Sequence, residues 1–405
     1  MRTSPLLPAL AAAALALVPA TPARACGGML FPEHGQRVGG MSEQELLVAF
    51  TPERTVLLAS AGYEGATAAP AFILPLAIEP TMVMQSELGV LAALDDHTAP
   101  EIHIELLGHV GNDGLCGAQT LKDGGGGDLG NGRGDVMVVQ RGETTDYDWV
   151  LVAGDTGSSL ADWLVDAGYT LPPTYATALQ PYLDADDFIF AAKLKSDAAA
   201  AALAPIELHL PPIEPTAFKI PFGLAAQSLP PGKQLSITTY LLASGGLLPG
   251  NYDASPIDRE QLAASSETET NYQDLYTAQV ANDGAPGWVI DASIPGFSAS
   301  ALVDAYDTLR ETGEPPPGTD RDAVLAFAAR VPFTDLRLTR IRTTLGAADL
   351  RDMTLTKVTG EDVERDLYTS YDPDPATVCG IHRGRGVPLA VLLVPVLLLL
   401  RRRRR

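Results

Sequence analysis

The sequence predicts an α+β fold, with mixed, largely antiparallel sheets and packed helices in two subdomains. Strand-like segments are mixed irregularly with helical ones, which favours this class over a doubly wound parallel sheet. Hydrophobic residues make up 46% of the 405 residues, enough to build real cores. About 350 residues lie between the signals predicted at the two ends, more than a single core usually serves. We therefore expect a folded body in two parts.

The first subdomain is predicted over residues 26–204. Apolar and β-branched runs at 45–50 and 55–63, separated by turn residues, predict a β-hairpin. Helical spacing follows Ser86, whose hydroxyl is expected to cap a helix that runs to residue 95. Further strands are predicted at 71–77, 102–106, 136–140, 149–153 and 188–194, and further helices at 158–167, ending before Gly168, and at 174–183.

The second subdomain is predicted over residues 205–375. Pro211, Pro212 and Pro215 predict an extended junction near its start, because proline fixes φ and lacks an amide donor. Beyond the junction, strands are predicted at 234–243, 288–291, 336–342 and 353–358, and helices at 299–309 and 320–330.

Residues 1–25 have the pattern of a secretory signal peptide. An early cation, Arg2, precedes an apolar stretch at 6–18, and Ala23-Arg24-Ala25 offers a small-x-small cleavage site directly before Cys26. We predict cleavage after Ala25. Lipidation of Cys26 is the alternative, although a lipoprotein signal usually carries a leucine-like residue three positions before the cysteine.

Residues 376–405 have the pattern of a sorting or anchor tail. Cys379-Gly380 and a short basic spacer precede an apolar run at 387–400 and five arginines at 401–405. Cationic residues stay on the cytoplasmic side of apolar segments, so the body is predicted to lie outside. The run is shorter than the ~20 residues that a permanent span needs. We therefore predict a transient span that attaches the protein to the membrane until it is processed.

This order of elements resembles the MYXO-CTERM sorting tails of surface proteins. The resemblance implies that a sorting protease acts near Cys379 and that the protein is retained at the cell surface. A plain tail anchor is the alternative.

The body between the two signals is strongly acidic. Two of the 28 Lys and Arg residues lie in the leader and seven in the tail, so 19 remain against 50 Asp and Glu, a net charge near −31. Such a surface repels phosphate backbones, which argues against nucleic acid as a partner. Divalent cations or basic partners are compatible with it, and so is a solvated coat that keeps the protein soluble.

Cys26 and Cys116 are the candidates for a disulfide, since Cys379 belongs to the tail. In an oxidising compartment their bridge would stabilise the fold by at most about 4–5 kcal/mol, on the chain-entropy account. Free thiols, or the lipidation of Cys26, are the alternatives.

Residues 111–135 are rich in glycine and aspartate and predict an exposed loop. Its carboxylates are candidate calcium ligands in an acidic, external protein. Their spacing matches neither an EF-hand nor a calcium β-roll, so a loop without metal is the simpler interpretation. The candidates are Asp113, Asp123, Asp128 and Asp135.

His97, His103 and His109 recur every six residues. On a strand, His103 and His109 would share one face with Glu105 between them. Imidazoles six strand positions apart are ~20 Å from each other, so a direct pair requires the strand to bend. The spacing therefore disfavours a zinc or copper site between them.

A second resemblance extends over most of the body. It rests on Cys26-Gly27-Gly28, on the segments at 72–76 and 94–100, on 160–164 with Gly168-Tyr169, and on 339–342. Together these resemble the secreted bacterial family catalogued as domain of unknown function 2330. The resemblance implies export and a shared fold, and it implies no activity or catalytic residue.

No catalytic motif is present. The sequence contains no Gly-x-Ser-x-Gly elbow, no His-Glu-x-x-His and no phosphate-binding Gly-x-x-x-x-Gly-Lys-Ser/Thr. We therefore expect a non-enzymatic, exported and surface-anchored protein that serves envelope structure or binds an external partner, without a cofactor other than calcium. The alternative is an extracellular hydrolase that acts on polysaccharide or peptide through carboxylates such as Asp95-Asp96 or Asp184 with Asp186-Asp187.

Overall fold

Four sheets form within the part of the chain that the structure describes. A computed structural model gives residues 28–30, 40–64, 71–106, 136–169, 171–195, 204–281, 285–313 and 315–371. The strands are β1 (Gly28–Leu30), β2 (Gly40–Phe50), β3 (Thr55–Glu64), β4 (Ala71–Leu76), β5 (Met82–Gln85), β6 (Glu101–Leu106), β7 (Val136–Glu143), β8 (Tyr147–Gly154), β9 (Phe188–Leu194), β10 (Ile206–Leu210), β11 (Lys219–Ile220), β12 (Gln234–Ala243), β13 (Gly246–Pro249), β14 (Asp253–Ser255), β15 (Gly287–Phe297), β16 (Leu336–Gly346), β17 (Met353–Val358) and β18 (Asp366–Tyr371).

Six α-helices lie among the described residues. They are α1 (Leu88–Thr98), α2 (Gly157–Asp166), α3 (Tyr175–Leu183), α4 (Tyr272–Ala281), α5 (Ala299–Thr312) and α6 (Arg321–Arg330). Short 310 turns occur at Pro215–Ala217, Phe222–Ser228 and Arg259–Gln261.

The sheets are mixed and largely antiparallel, which confirms the predicted fold class. The largest has the strand order β14-β15-β16-β12-β2-β3-β10-β5, and the next has the order β1-β4-β9-β8-β7. Smaller sheets join β11-β17-β13 and β18-β6. The parallel pairs are β12 with β2, β14 with β15 and β18 with β6.

These elements form four layers, because alternate side chains on the strands face opposite cores. On β2, Leu46 and Val48 face a core shared with the five-stranded sheet, whereas Leu47 and Ala49 face a core under α1, α5 and α6. The far side of the five-stranded sheet packs on α2 and α3 through Trp163 and other apolar side chains. Successive strand residues point to opposite faces, so a segment covered on both sides, such as 46–50, is apolar at every position.

Strands from both sides of the predicted subdomain division pair in the eight-stranded sheet. β10, which begins at Ile206, lies between β3 and β5. It ends at Leu210, directly before Pro211 and Pro212, where the loss of amide donors ends the ladder.

Local capping explains both ends of α2, whereas the side-chain cap predicted for α1 is absent. The hydroxyl of Thr156 accepts a hydrogen bond from the amide of Ser159 and caps α2, and Gly168 takes a φ of 83° after that helix ends. Ser86 was wrongly predicted to cap α1. The N-cap is Glu87, without a side-chain hydrogen bond, and the Ser86 amide instead donates to the carbonyl of Pro205.

No helix within the described residues is long and apolar enough to span a membrane. The leader and the tail lie outside those residues, as do Ala25, Cys26, Cys116, Cys379, Gly380, Asp113, Asp123, Asp128 and Asp135. What the sequence predicts for the leader, the tail and these residues therefore stays a prediction.

Candidate functional site

Four charged residues form a network on the helix-bearing face of the eight-stranded sheet, here called the β16 network: Asp95, Asp291, Arg340 and Arg342. The two arginines lie on either side of Ile341 on β16, two positions apart, so both point to the same face. Asp291 is the extra residue of a β-bulge in β15, between Ile290 and Ala292, and the bulge turns its carboxylate towards them. Asp95 comes from the last turn of α1.

Asp291 is shared by both guanidinium groups. Its Oδ2 lies 2.9 Å from Arg342 Nε and 3.2 Å from Arg340 Nε. Arg342 Nη2 also donates to Asp291 Oδ1 at 3.2 Å, which makes that pair bidentate. The Asp291 side chain is fully buried, and that of Arg340 is 6% exposed. Arg340 Nη2 reaches Asp95 Oδ1 at 2.8 Å, so the two positive charges are balanced by two negative ones.

This network brings together two segments that the sequence resemblance singled out. Asp95 belongs to 94–100 and Arg340 to 339–342, and Arg340 also donates to the Asp95 carbonyl oxygen across 245 residues of chain. Asp95 therefore has a structural partner. Its role as a hydrolytic carboxylate, which the hydrolase alternative requires, receives no support from this contact.

Arg342 and the neighbouring Tyr272 each keep a single protonation state near neutral pH. Burial lowers the pKa of Arg342, but the Asp291 carboxylate outweighs burial and keeps that pKa above its usual value. Burial and Asp291 raise the pKa of the neighbouring Tyr272 phenol. A permanently charged guanidinium and a permanently neutral phenol do not exchange protons near neutral pH, so the network serves poorly as an acid or base.

A groove of about 420 Å³ lies beside the network, between α4 and the end of β16. Its lining is mostly neutral, with amide, hydroxyl and aliphatic groups, and Asp349 is its carboxylate. Tyr276 forms one wall, with its hydroxyl 3.0 Å from Thr344 Oγ1 and its ring under the Arg342 guanidinium at 4.4 Å. Burial raises the pKa of Tyr276, so its hydroxyl is a neutral hydrogen-bonding group. The groove is suited to contact with an uncharged polar ligand.

Carboxylates with a raised pKa lie elsewhere. Burial raises the pKa of Glu87, and Asp320 and Asp146 add to the effect. Burial also raises the pKa of Asp146, which Gln85 holds through an Nε2–Oδ2 contact of 2.8 Å, and that of Asp187. None of these residues lines the groove.

The structure places His97 and His103 on different elements. His97 lies in the last turn of α1 against the ring of Phe297, at 5.3 Å between centroids. His103 lies on β6 beside Glu101 and Asp366. His109 is outside the described residues.

The three tryptophans contribute to packing. Trp163 and Trp288 are buried, and Trp149 packs against Phe190 at 5.9 Å between ring centroids. Of the other predicted hydrolytic carboxylates, Asp184 accepts a hydrogen bond from Gln180 one helical turn away.

Comparison with known proteins identifies a family and distant structural neighbours. No curated protein matches the chain. The crystal structure of baculovirus P35 matches at 10% sequence identity, covering 79% of this chain and 98% of that chain, with a TM-score of 0.37. The caspase-8/P35 complex matches at 10% identity, covering 77% and 96%, with a TM-score of 0.31. Likenesses this low carry no argument about this chain.

The family model extends over residues 19–285, more than half of the chain, and confirms the resemblance noted in the sequence. The segment at 339–342 lies beyond the matched range. The chain belongs to the family described as an uncharacterized protein conserved in bacteria (DUF2330).

Proposed function

We propose that this is an exported, surface-anchored interaction protein without catalytic activity. The groove between α4 and β16 carries the proposal, because it offers neutral hydrogen-bonding groups and contains none of the carboxylates with a raised pKa. An enzyme that uses acids and bases needs such groups to converge where substrate binds.

The acidic body and the two terminal signals support the location. A net charge near −31 between leader and tail suits an external protein that must stay soluble. Membrane attachment through residues 376–405 and processing by a sorting protease near Cys379 belong to the proposal.

Intact-mass measurement of the protein isolated from its native envelope tests the location directly. We expect the mass of a chain that begins at Cys26. The same measurement shows whether the chain is processed near Cys379 or keeps its tail. A lipid on Cys26 would appear as an added mass. A full-length product in the cytosolic fraction, with its leader retained, would overturn the proposal of export.

A second candidate function follows from Glu87 and Asp146. Each has a raised pKa, and the two carboxylates are close enough for Asp146 to affect Glu87. A carboxylic acid with a raised pKa beside a second carboxylate is the arrangement that glycoside hydrolysis uses.

Envelope polysaccharide incubated with the protein distinguishes the two candidates. The interaction proposal predicts no release of reducing ends by the wild-type chain. Release that Glu87→Gln abolishes, and that the exposed-surface change Glu311→Gln leaves intact, would establish the hydrolase instead.

A further inference from the structure

Parallel pairing of β6 with β18 brings three potential metal ligands to one exposed surface, here called the ribbon site: Glu101, His103 and Asp366. Glu101 and His103 are two positions apart on β6, so their side chains lie on the same face. Asp366 is the register partner of Glu101 in β18. The ligands therefore come from two segments more than 260 residues apart in the chain.

The three ligand atoms converge on one point. His103 Nε2 lies 2.9 Å from Asp366 Oδ1 and 3.8 Å from Glu101 Oε1, and all three atoms are within 4.8 Å of one another. Zinc holds nitrogen and oxygen ligands at about 2.0–2.2 Å in a tetrahedron, which places neighbouring ligand atoms about 3.4 Å apart. The observed separations lie on both sides of that value, so small side-chain rotations would bring the three atoms onto one face of such a tetrahedron and leave the fourth position open.

Neighbouring side chains hold the ligands in this orientation. The ring of Tyr368, the register partner of His103, stacks on the imidazole with centroids 4.8 Å apart and planes 19° apart. Arg365 Nη2 donates to Glu101 Oε2 at 2.6 Å, so Oε1 is the oxygen that faces His103. Partners of this kind, which fix a ligand ring or carboxylate, are typical of metal sites.

The site is open to solvent. The side chains of His103, Asp366 and Glu101 are 38%, 40% and 50% exposed. A metal ion therefore reaches the three ligands without unfolding the protein. The positive charge of the metal would reduce the repulsion among the carboxylates of the acidic body.

We infer that Glu101, His103 and Asp366 bind a divalent transition metal of the zinc class. One imidazole with two carboxylates suits zinc and similar ions, whereas calcium prefers six or more oxygen ligands. This inference goes beyond the proposed function and rests on the geometry of the β6–β18 pair, not on export.

Calorimetric titration of the full chain with zinc chloride tests the inference. We expect His103→Ala and Asp366→Asn each to weaken zinc binding by at least about tenfold, since loss of a mere supporting group typically costs roughly 10–100-fold in affinity. Calcium chloride is expected to bind this site more weakly than zinc. Cobalt chloride is expected to give a visible spectrum without the charge-transfer band of a thiolate ligand.

Two variants serve as matched controls. Glu105→Gln removes a carboxylate from the same face of β6, one ligand spacing further along, and His109→Ala removes the next histidine in the sequence. Both should leave zinc affinity unchanged. The inference is overturned if zinc fails to bind, if Glu105→Gln weakens binding as much as Asp366→Asn, if His103→Ala binds zinc like the wild type, or if cobalt shows thiolate ligation.

Discussion

In both the β16 network and the ribbon site, carboxylates lie beside nitrogen-containing side chains. The shared carboxylate of the network is buried, whereas the carboxylates of the ribbon site are exposed to solvent. In the network, the Asp291 side chain is fully buried and both of its oxygens contact guanidinium groups. In the ribbon site, Asp366 is 40% exposed and meets a single imidazole nitrogen. The buried charge of Asp291, paired at both oxygens, is committed to holding β15 and β16 together. An exposed, partly paired charge remains available to a ligand.

The largest expected effect is loss of the shared carboxylate in the network. Asp291→Ala leaves the buried Arg340 and the partly buried Arg342 without that partner. Removing one partner of a buried pair costs about 3–5 kcal/mol in the free energy of unfolding. Urea denaturation measures the loss. Asp366→Ala in the absence of metal is the matched change at the ribbon site, and exposed pairs contribute about 0–1 kcal/mol. Equal losses for both variants would show that burial does not distinguish Asp291 from Asp366.

A second buried cluster, around Glu207, is expected to make stability depend on pH. Glu207 is buried between His209 Nε2 at 2.7 Å and Arg330 Nη2 at 2.8 Å. Burial raises the pKa of Glu207, but hydrogen bonds from His209 and Arg330 outweigh burial and hold the pKa below its ordinary value. The ionised form is therefore the one that stabilises the fold.

Glu207→Gln is expected to cost about 2 kcal/mol at neutral pH, the range for hydrogen bonds to a charged group. A depressed pKa contributes stability that is present above the unfolded value, about 4.3, and that is lost as pH falls through the lower folded value. The difference between wild type and variant should therefore shrink in acid. Denaturation at a series of pH values measures it, and a difference that grows in acid would contradict the assignment.

Asp95→Asn tests the exposed rim of the β16 network. Asp95 is 45% exposed, and Arg340 keeps its contact with Asp291 when Asp95 loses its charge. The expected loss is about 1 kcal/mol, near the upper end for exposed pairs. A loss as large as that of Asp291→Ala would show that the two carboxylates are not distinguished by burial.

The smallest expected effect on stability is at the ribbon site itself. Without metal, His103→Ala removes an exposed contact with Asp366 and a ring contact with Tyr368, so the free energy of unfolding should change by less than about 1 kcal/mol. Thermal melting in the presence of a chelator checks this. A larger loss would indicate that the imidazole is needed for the fold.

Local patterns predicted much of the fold. Thr55–Glu64 pairs with Gly40–Phe50 as the hairpin that their composition predicts, and Gln234–Ala243 and Met353–Val358 have the predicted bounds. The sequence signal for α4 is weaker. This helix, Tyr272–Ala281, buries only Tyr276 and Val280 and was not predicted. Helix prediction from sequence relies on a continuous face of apolar residues, so it does not detect a helix that buries so few side chains.

Local sequence patterns did not predict the candidate sites, because each site joins segments that are distant in the sequence. The Glu-x-His spacing at 101–103 was visible, but its third ligand lies on β18, a strand that was not predicted and whose pairing is parallel and long-range. In the β16 network, the alternation of Arg340 and Arg342 was visible, whereas the bulge that presents Asp291 depends on how β15 pairs with β16. Charge partners set by register are not encoded in nearby sequence.

The zinc-dependent change in the free energy of unfolding, measured for wild type, Asp291→Asn and His103→Ala, tests the division of roles most directly. At a zinc concentration about 100-fold above the dissociation constant, binding should stabilise the wild type by about 2.7 kcal/mol. Asp291→Asn should start from a lower stability and keep that gain, whereas His103→Ala should start near wild type and lose it. The account is contradicted if Asp291→Asn loses the zinc gain or if His103→Ala retains it.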